Sequence, residues 1–287
     1  MKFGLIGCPV QQSLSPVLFN GLFTKLGLDY SYSAYEVKED ELDSFLSWFR
    51  RSELKGVNVT IPHKEKVCGM VDELSEEARK IGAVNAIIKF GGKLIGDNTD
   101  AYGFRESLKE LNGQWKKALI FGGGGAARAV LCSLSLFKPE RITLVEKSKA
   151  KREKLKNDFQ EIDSLEIIDW DLVQILGKMK KADLVVNATP LGMEGISEDF
   201  PVEAQFDLSG KLFLDLIYKP EITPFMKIGI EGRARVKNGL SMLLSQAMKS
   251  LELWTGIRTE FRDWLEIYEN IKREKDSSLI SHKGEER

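Results

Sequence analysis

Apolar and polar positions alternate along the chain with two periods, and the switch between them marks the elements. "KFGLIG" is a short apolar run broken by Gly7-Cys8-Pro9 and reads as a buried strand. "SPVLFNGLFTKLGL" then sets Val17, Leu18, Leu22, Phe23 and Leu26 at helical spacing, with Pro16 suited to a first turn. "YSYSAYEV" alternates as a strand does, and "EDELDSFLSWFRRS" returns to the helical period with an acidic first turn that suits the helix dipole. In "KGVNVTIPHK", Val57, Val59 and Ile61 alternate with Asn58 and Thr60, which predicts a strand with one apolar and one polar face, halted by Pro62. A helix over "EKVCGMVDELS" and "EEARKIG", a strand at "AVNAIIKF", a Gly91-Gly92 hairpin turn and "KLIGDNTD" complete this series. A mostly parallel sheet covered by helices is the economical reading.

A second alternating series follows the helix at "TDAYGFRESLKELNG". It runs through "KKALIFGGGGAARAVLCSLSLF", "RITLVEKS", "KREKLKNDF", "SLEIIDW", "ADLVVNATPLGM" and "KLFLDLIY". Apolar, β-branched strands separated by helices predict a doubly wound parallel sheet. "NGLSMLLSQAMKSLELWTG" is a strongly apolar helix and "TEFRDWLEIYENIKREK" an amphipathic one, while "DSSLISHKGEER" is a polar tail expected to be disordered.

Composition narrows the class. Of 287 residues 43% are hydrophobic and 30% charged, which suits a soluble globular protein with ample core. A net charge of -1 supplies no global field for nucleic acid or a membrane, although a local basic patch is compatible with it. No run approaches the ~18 to 20 apolar residues of a spanning helix, and "MKFGLIGCPV" does not read as a signal peptide. Cys8, Cys68 and Cys132 have neither zinc-site spacing nor the even number of a disulfide framework. No His/Cys/carboxylate cluster offers a metal site, and the expected compartment is the cytoplasm.

The most readable chemistry is "LIFGGGGAARA". Gly122, Gly124 and Ala127 match the G-x-G-x-x-G/A fingerprint directly after a strand and at the opening of a helix. Glycines there permit a tight turn and close approach to a pyrophosphate, and the helix N-terminus offers unpaired N–H groups to an anion. Glu146 ends the following strand, at the spacing of about 20 residues where a carboxylate meets the adenosine ribose. It would bond a 2′-hydroxyl and repel a 2′-phosphate. Lys147, Ser148, Lys149, Lys151 and Arg152 come next and could hold that phosphate, so this site leaves NAD and NADP both open.

Eight motifs in order carry a resemblance over nearly the whole chain: "GCPVQQSLSP", "GVNVTIPHK", "GAVNAI", "GDNTDAYGF", "GGGGAARA", "NATPLGM", "DLIYKP" and "NGLSMLLSQA". The chain resembles the shikimate dehydrogenase family, which reduces 3-dehydroshikimate to shikimate with a nicotinamide cofactor, usually NADPH. The resemblance implies that Lys64 and Asp100 are the catalytic pair. A lysine beside the reacting oxygen exchanges its proton and stabilises alkoxide charge, and Asp100 orients that lysine. It also implies that Ser13 and Ser15 hold a carboxylate, that Thr60, Asn85 and Gln246 bind ring hydroxyls, and that Tyr218 lines the same pocket. Taken singly, Ser13 or Ser15 could instead cap a helix, Gln246 could be a polar residue on a buried helix, and His63 stacks or caps rather than catalyses. The implied cofactor set is Gly122, Gly123, Gly124, Gly125, Ala126, Glu146, Lys147, Ser148, Lys151, Thr189, Leu216 and Gly239, the last two on the nicotinamide side.

Three departures matter. Gln12 and Phe19 stand where the family often has histidines, which alters the outer wall of the substrate pocket. Glu146-Lys147-Ser148 replaces the usual Asn-Arg-Thr of NADP-dependent members, and "GGGGA" replaces Gly-Ala-Gly-Gly-Ala. The expected organisation is an α/β substrate domain over 1–101, completed by C-terminal helices over 238–275, and a Rossmann domain over 102–237, with the tail at 276–287. The active site is expected in the groove between the domains. NADP is the expected cofactor, with NAD possible because of Glu146, and the protein is expected to be a monomer or homodimer. Two alternatives remain: an NAD-linked quinate/shikimate dehydrogenase, and a nucleotide-sensing regulator on the same scaffold. The regulator would have no need of Lys64.

Overall fold

A computed structural model describes residues 1–111, 113–196, 200–203 and 206–284, with side chains as far as 274. The elements of the first third are β1 (Lys2–Gly7), α1 (Ser15–Lys25), β2 (Ser31–Glu36), α2 (Leu42–Arg51), β3 (Leu54–Val59), β4 (Glu73–Leu74), α3 (Glu76–Ile81), β5 (Ala86–Phe90), β6 (Lys93–Asp97) and α4 (Thr99–Lys109). Then follow β7 (Lys117–Phe121), α5 (Gly125–Ser135), β8 (Arg141–Val145), α6 (Lys149–Asp158), β9 (Leu165–Ile168), α7 (Leu172–Lys181), β10 (Leu184–Asn187), β11 (Leu212–Asp215), α8 (Pro224–Glu231), β12 (Arg235–Lys237), α9 (Leu240–Thr255) and α10 (Phe261–Gly284). The chain forms two compact units, one of Met1–Glu76, Val84–Thr99 and the segment from Ala247, the other of Glu77–Ala83 and Asp100–Gln246.

The first unit holds a six-stranded sheet in the order β2-β1-β3-β5-β6-β4. Its β2-β1-β3 half is parallel, but β5 runs antiparallel to β3 and to β6, so the sheet is mixed. The β5–β6 hairpin turns on Gly91 and Gly92, both at positive φ (58° and 79°), as the central pair of a type I′ turn demands. Two expectations fail here for tertiary reasons. "EKVCGMVDELS" forms only one 3₁₀ turn (Lys66–Gly69), because Glu73 and Leu74 leave the helical path to pair with Ile95 and Gly96. β3 ends at Val59, leaving Ile61 exposed, and it lies inside the sheet, so Asn58 is buried rather than on a wetted face.

Aromatic rings fill one side of this sheet. Phe3 stacks on Trp254 with centroids 5.0 Å apart, and Phe19 stacks on Tyr32 at 4.3 Å. Trp264 meets Phe19 edge-on at 4.9 Å, so α10 covers the same core. Gly56 admits the Trp254 indole, since a Cβ there would lie 2.2 Å from Nε1. Phe19 is fully buried in this stack and is a core residue, not part of a pocket wall.

The second unit is a parallel sheet in the order β12-β11-β10-β7-β8-β9, the doubly wound arrangement the second series predicts. Strand order reverses between β7 and β10, the switch point at which such sheets bind ligands beyond their carboxyl ends. Helix α10 continues through 276–284, the stretch expected as a disordered tail. No glycine or proline interrupts it before Gly284. Residues 285–287 of that expected tail lie outside the described residues.

Candidate active site

In the first unit, predicted site residues gather at the carboxyl ends of β1 and β3 and the start of β5. Ser13 and Ser15 lie at the entrance to α1. Neither is its N-cap, which is Leu14 without a side-chain bond, although Ser13 Oγ accepts the Ser15 N–H at 3.2 Å. Ser13 thus serves one of the helix's otherwise unpaired N–H groups and keeps its own proton to donate. Thr60 follows β3, half-buried, with its N–H donated to Ile6 O at 2.8 Å.

Lys64 is half-buried, and its backbone is pinned from two sides. The Val84 N–H donates to Lys64 O at 2.7 Å, and the ring of His63 meets Val37 O at 2.6 Å. A carbonyl only accepts, so His63 carries its proton on Nε2, and its buried Nδ1 has no hydrogen-bond partner among the described residues. His63 therefore anchors the loop that presents Lys64.

Asn85 is buried and locked to Thr99, whose N–H donates to its Oδ1 at 2.6 Å while Asn85 Nδ2 donates to Thr99 Oγ1 at 2.9 Å. Sequence reasoning passed over the group behind Asn85. Asn58 Nδ2 donates to Asn85 O (3.1 Å) and to Ser250 Oγ (2.9 Å), Tyr32 Oη donates to Asn58 Oδ1 (2.9 Å), and Ser250 Oγ lies 3.1 Å from Thr99 Oγ1. The available signal was Asn58, a polar residue set between Val57 and Val59 in β3. Its partners are remote in sequence.

The second unit holds the remaining residues. Asp100 is buried in the first turn of α4, next in the chain to Thr99. Gln246 is buried on α9, its Nε2 donating to Leu243 O at 2.9 Å. Tyr218 is half-buried beyond β11.

The glycine loop fits a dinucleotide. Gly122 has φ 105°, a conformation L side chains rarely adopt, and a Cβ there would lie 3.0 Å from Ala188 O. Gly124, the N-cap of α5, carries no side-chain bond, so the N–H groups of Gly125 and Ala126 open onto the loop without a competing cap. Glu146 is buried and accepts the Ser148 N–H at Oε1 (2.8 Å). The basic residues after it divide. Arg152 is committed through Nη1 to Glu146 O, Lys147 O and Asp169 at 2.8, 2.9 and 2.7 Å, and its role is structural. Ser148 caps α6 by accepting the Lys151 N–H, while Lys147 and Lys151 have exposed side chains.

On the other side of the switch point, Thr189 donates both N–H and Oγ–H to Asn187 Oδ1, at 3.0 and 2.6 Å. Asn187 in turn donates to Asp215, which also takes the Ile217 N–H and the Thr223 hydroxyl. Burial pushes the Asp215 carboxyl up to about 6, and these bonds pull it partly back. Gly239 is obligatory beside Leu216, because a Cβ would lie 2.0 Å from Leu216 O. Asn187, Asp215 and Thr223 were not singled out from the sequence, though "NATPLGM" and "DLIYKP" contain the first two.

A doubly wound nucleotide-binding sheet joined to an α/β unit rich in small-ligand hydrogen-bonding groups defines the class as a two-unit dinucleotide-dependent α/β protein. Residues 5–87 match the family model of the shikimate dehydrogenase substrate binding domain. A protein of Desulforamulus reducens named shikimate dehydrogenase (NADP(+)) is 41% identical over 261 residues, covering 88% of this chain and 89% of its own. The chain belongs to the shikimate dehydrogenase family. Among solved structures, shikimate 5-dehydrogenase of Thermus thermophilus in complex with NADP(H) and shikimate is similar with a TM-score of 0.82 at 33% identity, over 94% of this chain and 99% of that one. Shikimate 5-dehydrogenase of Listeria monocytogenes in complex with shikimate and NAD gives 0.79 at 31% identity, over 93% and 96%.

Proposed function

We propose that this protein catalyses the reversible NADP-linked reduction of 3-dehydroshikimate to shikimate, a step of aromatic amino acid biosynthesis, in the cytoplasm and as a monomer or homodimer. The nicotinamide, when bound, supplies the hydride in reduction and takes it in oxidation. Lys64 gives its proton to the ketone oxygen during reduction and stabilises the charge developing there. Asp100 orients the ammonium. Ser13 and Ser15 donate to the carboxylate, Thr60, Asn85 and Gln246 bind ring hydroxyls, and Tyr218 lines the pocket. Gly122 to Ala126 cradle the pyrophosphate, with Glu146, Lys147, Ser148 and Lys151 at the adenosine end and Thr189, Leu216 and Gly239 at the nicotinamide end.

The observation that carries this reading is the hydrogen-bonded core of the first unit, which ties Asn85, proposed as a ring-hydroxyl ligand, to a buried framework of Tyr32, Asn58 and Thr99 instead of leaving it on a free surface. One observation favours NAD use beside NADP. Glu146 is buried at the glycine loop, and Arg152, the strongest phosphate ligand in its neighbourhood, is engaged with backbone carbonyls and Asp169. The test is a spectrophotometric panel crossing shikimate and quinate with NADP and NAD. Shikimate with NADP is expected to give the highest kcat/KM, and no reduced cofactor from shikimate with either nucleotide would overturn the proposal.

A further inference from the structure

Three residues read as lying on the nicotinamide side, Thr189, Leu216 and Gly239, hang from one buried pair in the second unit. Asn187 ends β10 and Asp215 ends β11; they are register partners in the parallel sheet, and both are fully buried. Thr189 gives its N–H and its hydroxyl proton to Asn187 Oδ1 (3.0 and 2.6 Å), and the Leu216 N–H goes to Asn187 O (3.0 Å). Asp215 Oδ1 takes the Ile217 N–H (3.0 Å), and Ile217 O takes the Gly239 N–H (2.9 Å). The direction of the pair is forced. A backbone N–H only donates, so the Asn187 oxygen must face Thr189, and its nitrogen then faces Asp215 Oδ1 (3.0 Å) and Leu191 O (3.3 Å), which both accept. Turned over, the amide would set its N–H₂ against the Thr189 N–H. The same loop abuts the glycine turn, where a Cβ on Gly122 would lie 3.0 Å from Ala188 O and 3.1 Å from Thr189 Cγ2.

We propose that Asn187 is a positioning residue for the nicotinamide half of the dinucleotide. This rests on the reading of Thr189, Leu216 and Gly239 as nicotinamide-side residues and deepens it. Because the Thr189 hydroxyl proton goes to Asn187, its oxygen meets a ligand only as an acceptor. Such an oxygen suits the N–H and O–H donors of the nicotinamide nucleoside and opposes the phosphates, which carry acceptors alone. A loop fixed before the ligand arrives needs less ordering on binding, so loss of Asn187 weakens the nicotinamide half selectively. The adenosine half, held at the glycine loop and Glu146, keeps its contacts.

The test is calorimetric titration of the full chain with NADP and with adenosine 2′,5′-bisphosphate, which lacks the nicotinamide half. Asn187→Ala is expected to raise the NADP Kd roughly five- to tenfold and to leave that of the bisphosphate within about twofold. A general loosening of the sheet would weaken both ligands alike. Thr189→Val, which deletes the hydroxyl and keeps the shape, should also weaken NADP alone, and in the Asn187→Ala background it should add less than about twofold. If Asn187→Ala does not fold, Asn187→Ser replaces it, since one short hydroxyl cannot reach Thr189 and Asp215 together and the same split is expected. An unchanged NADP Kd in the Asn187 variant, an equal rise for both ligands, or additive effects with Thr189→Val would overturn the proposal. If Thr189→Val alone left NADP binding intact, the nicotinamide-side reading of Thr189 would fall, and the proposal with it.

Discussion

The Glu146 carboxylate lies against Gly123, where an added Cβ would sit 2.8 Å from Oε2 and equally close to Leu155 Cδ1. A buried carboxylate at the glycine loop favours a ribose 2′-hydroxyl and opposes a 2′-phosphate. Exposed lysines such as Lys147 and Lys151 offset the repulsion weakly, by ~0.2 to 1 kcal/mol per charge pair. The protein is therefore expected to use NAD measurably beside NADP. Replacing Glu146 by Asn should raise kcat/KM for NADP and lower it for NAD. A wild type inert with NAD, together with a variant unchanged in both values, would remove Glu146 from the ribose.

Lys64→Ala should lower kcat by roughly 10²-fold or more, the scale of a positioned proton-transfer group, with much less change in KM. The anchor predicts a graded companion. His63→Ala deletes the ring bonded to Val37 O and should reduce kcat less than Lys64→Ala, because the backbone bond from Val84 to Lys64 O persists. Steady-state kinetics on both variants checks this. If Lys64→Ala raised KM while leaving kcat within a few-fold, the lysine would be a binding residue.

What could be read from the sequence was what is local. The doubly wound sheet follows from apolar strand runs that alternate with helices, although none separates β10 from β11 among the described residues, and the Gly91-Gly92 turn from two residues that tolerate positive φ. "EKVCGMVDELS" misled because its helical spacing competes with a strand pairing to Ile95 and Gly96 that no local window contains. Phe19 looked like an altered pocket position because it stands where the resembled family often has a histidine, whereas Tyr32, Trp254 and Trp264 come from distant elements to enclose it. The glycine loop and Glu146 were legible because chain spacing alone sets them at the end of a strand. The Tyr32–Asn58–Ser250–Thr99 chain was not, since a hydrogen bond between residues 192 apart, as from Asn58 to Ser250, leaves no periodic trace.

The double variant Ser13→Ala/Ser15→Ala should bind shikimate poorly and keep its affinity for NADP. Each lost bond to a charged group is worth about 1.5 to 3 kcal/mol. Because Ser13 Oγ also accepts the Ser15 N–H, a modest loss of thermal stability should accompany it. Titration of both ligands and a melting curve separate these effects, and parallel loss of both affinities would point to a folding defect.

Asp215 gives the pH dependence a definite sign. It is fully buried, and it accepts from Asn187 Nδ2 and Ile217 N at 3.0 Å and from Thr223 Oγ1 at 2.5 Å. Burial raises its carboxyl from an ordinary 3.8 to about 6. Between those values the folded chain holds a proton that the unfolded chain has released, so stability falls as pH rises. The contribution is fully present below the unfolded value and lost as pH passes through the folded one, a change of about 3 kcal/mol. In Asp215→Asn that term disappears, while the amide oxygen can still accept from Asn187 Nδ2 and Ile217 N, and the cost of turning the N–H₂ toward the Thr223 hydroxyl is the same at every pH. The stability difference between wild type and variant should therefore shrink from pH 4 to pH 7 by up to about 3 kcal/mol. Urea or thermal unfolding of both proteins across that range measures it. Parallel profiles would show that Asp215 does not titrate there, and that its three donors, rather than its burial, govern its protonation.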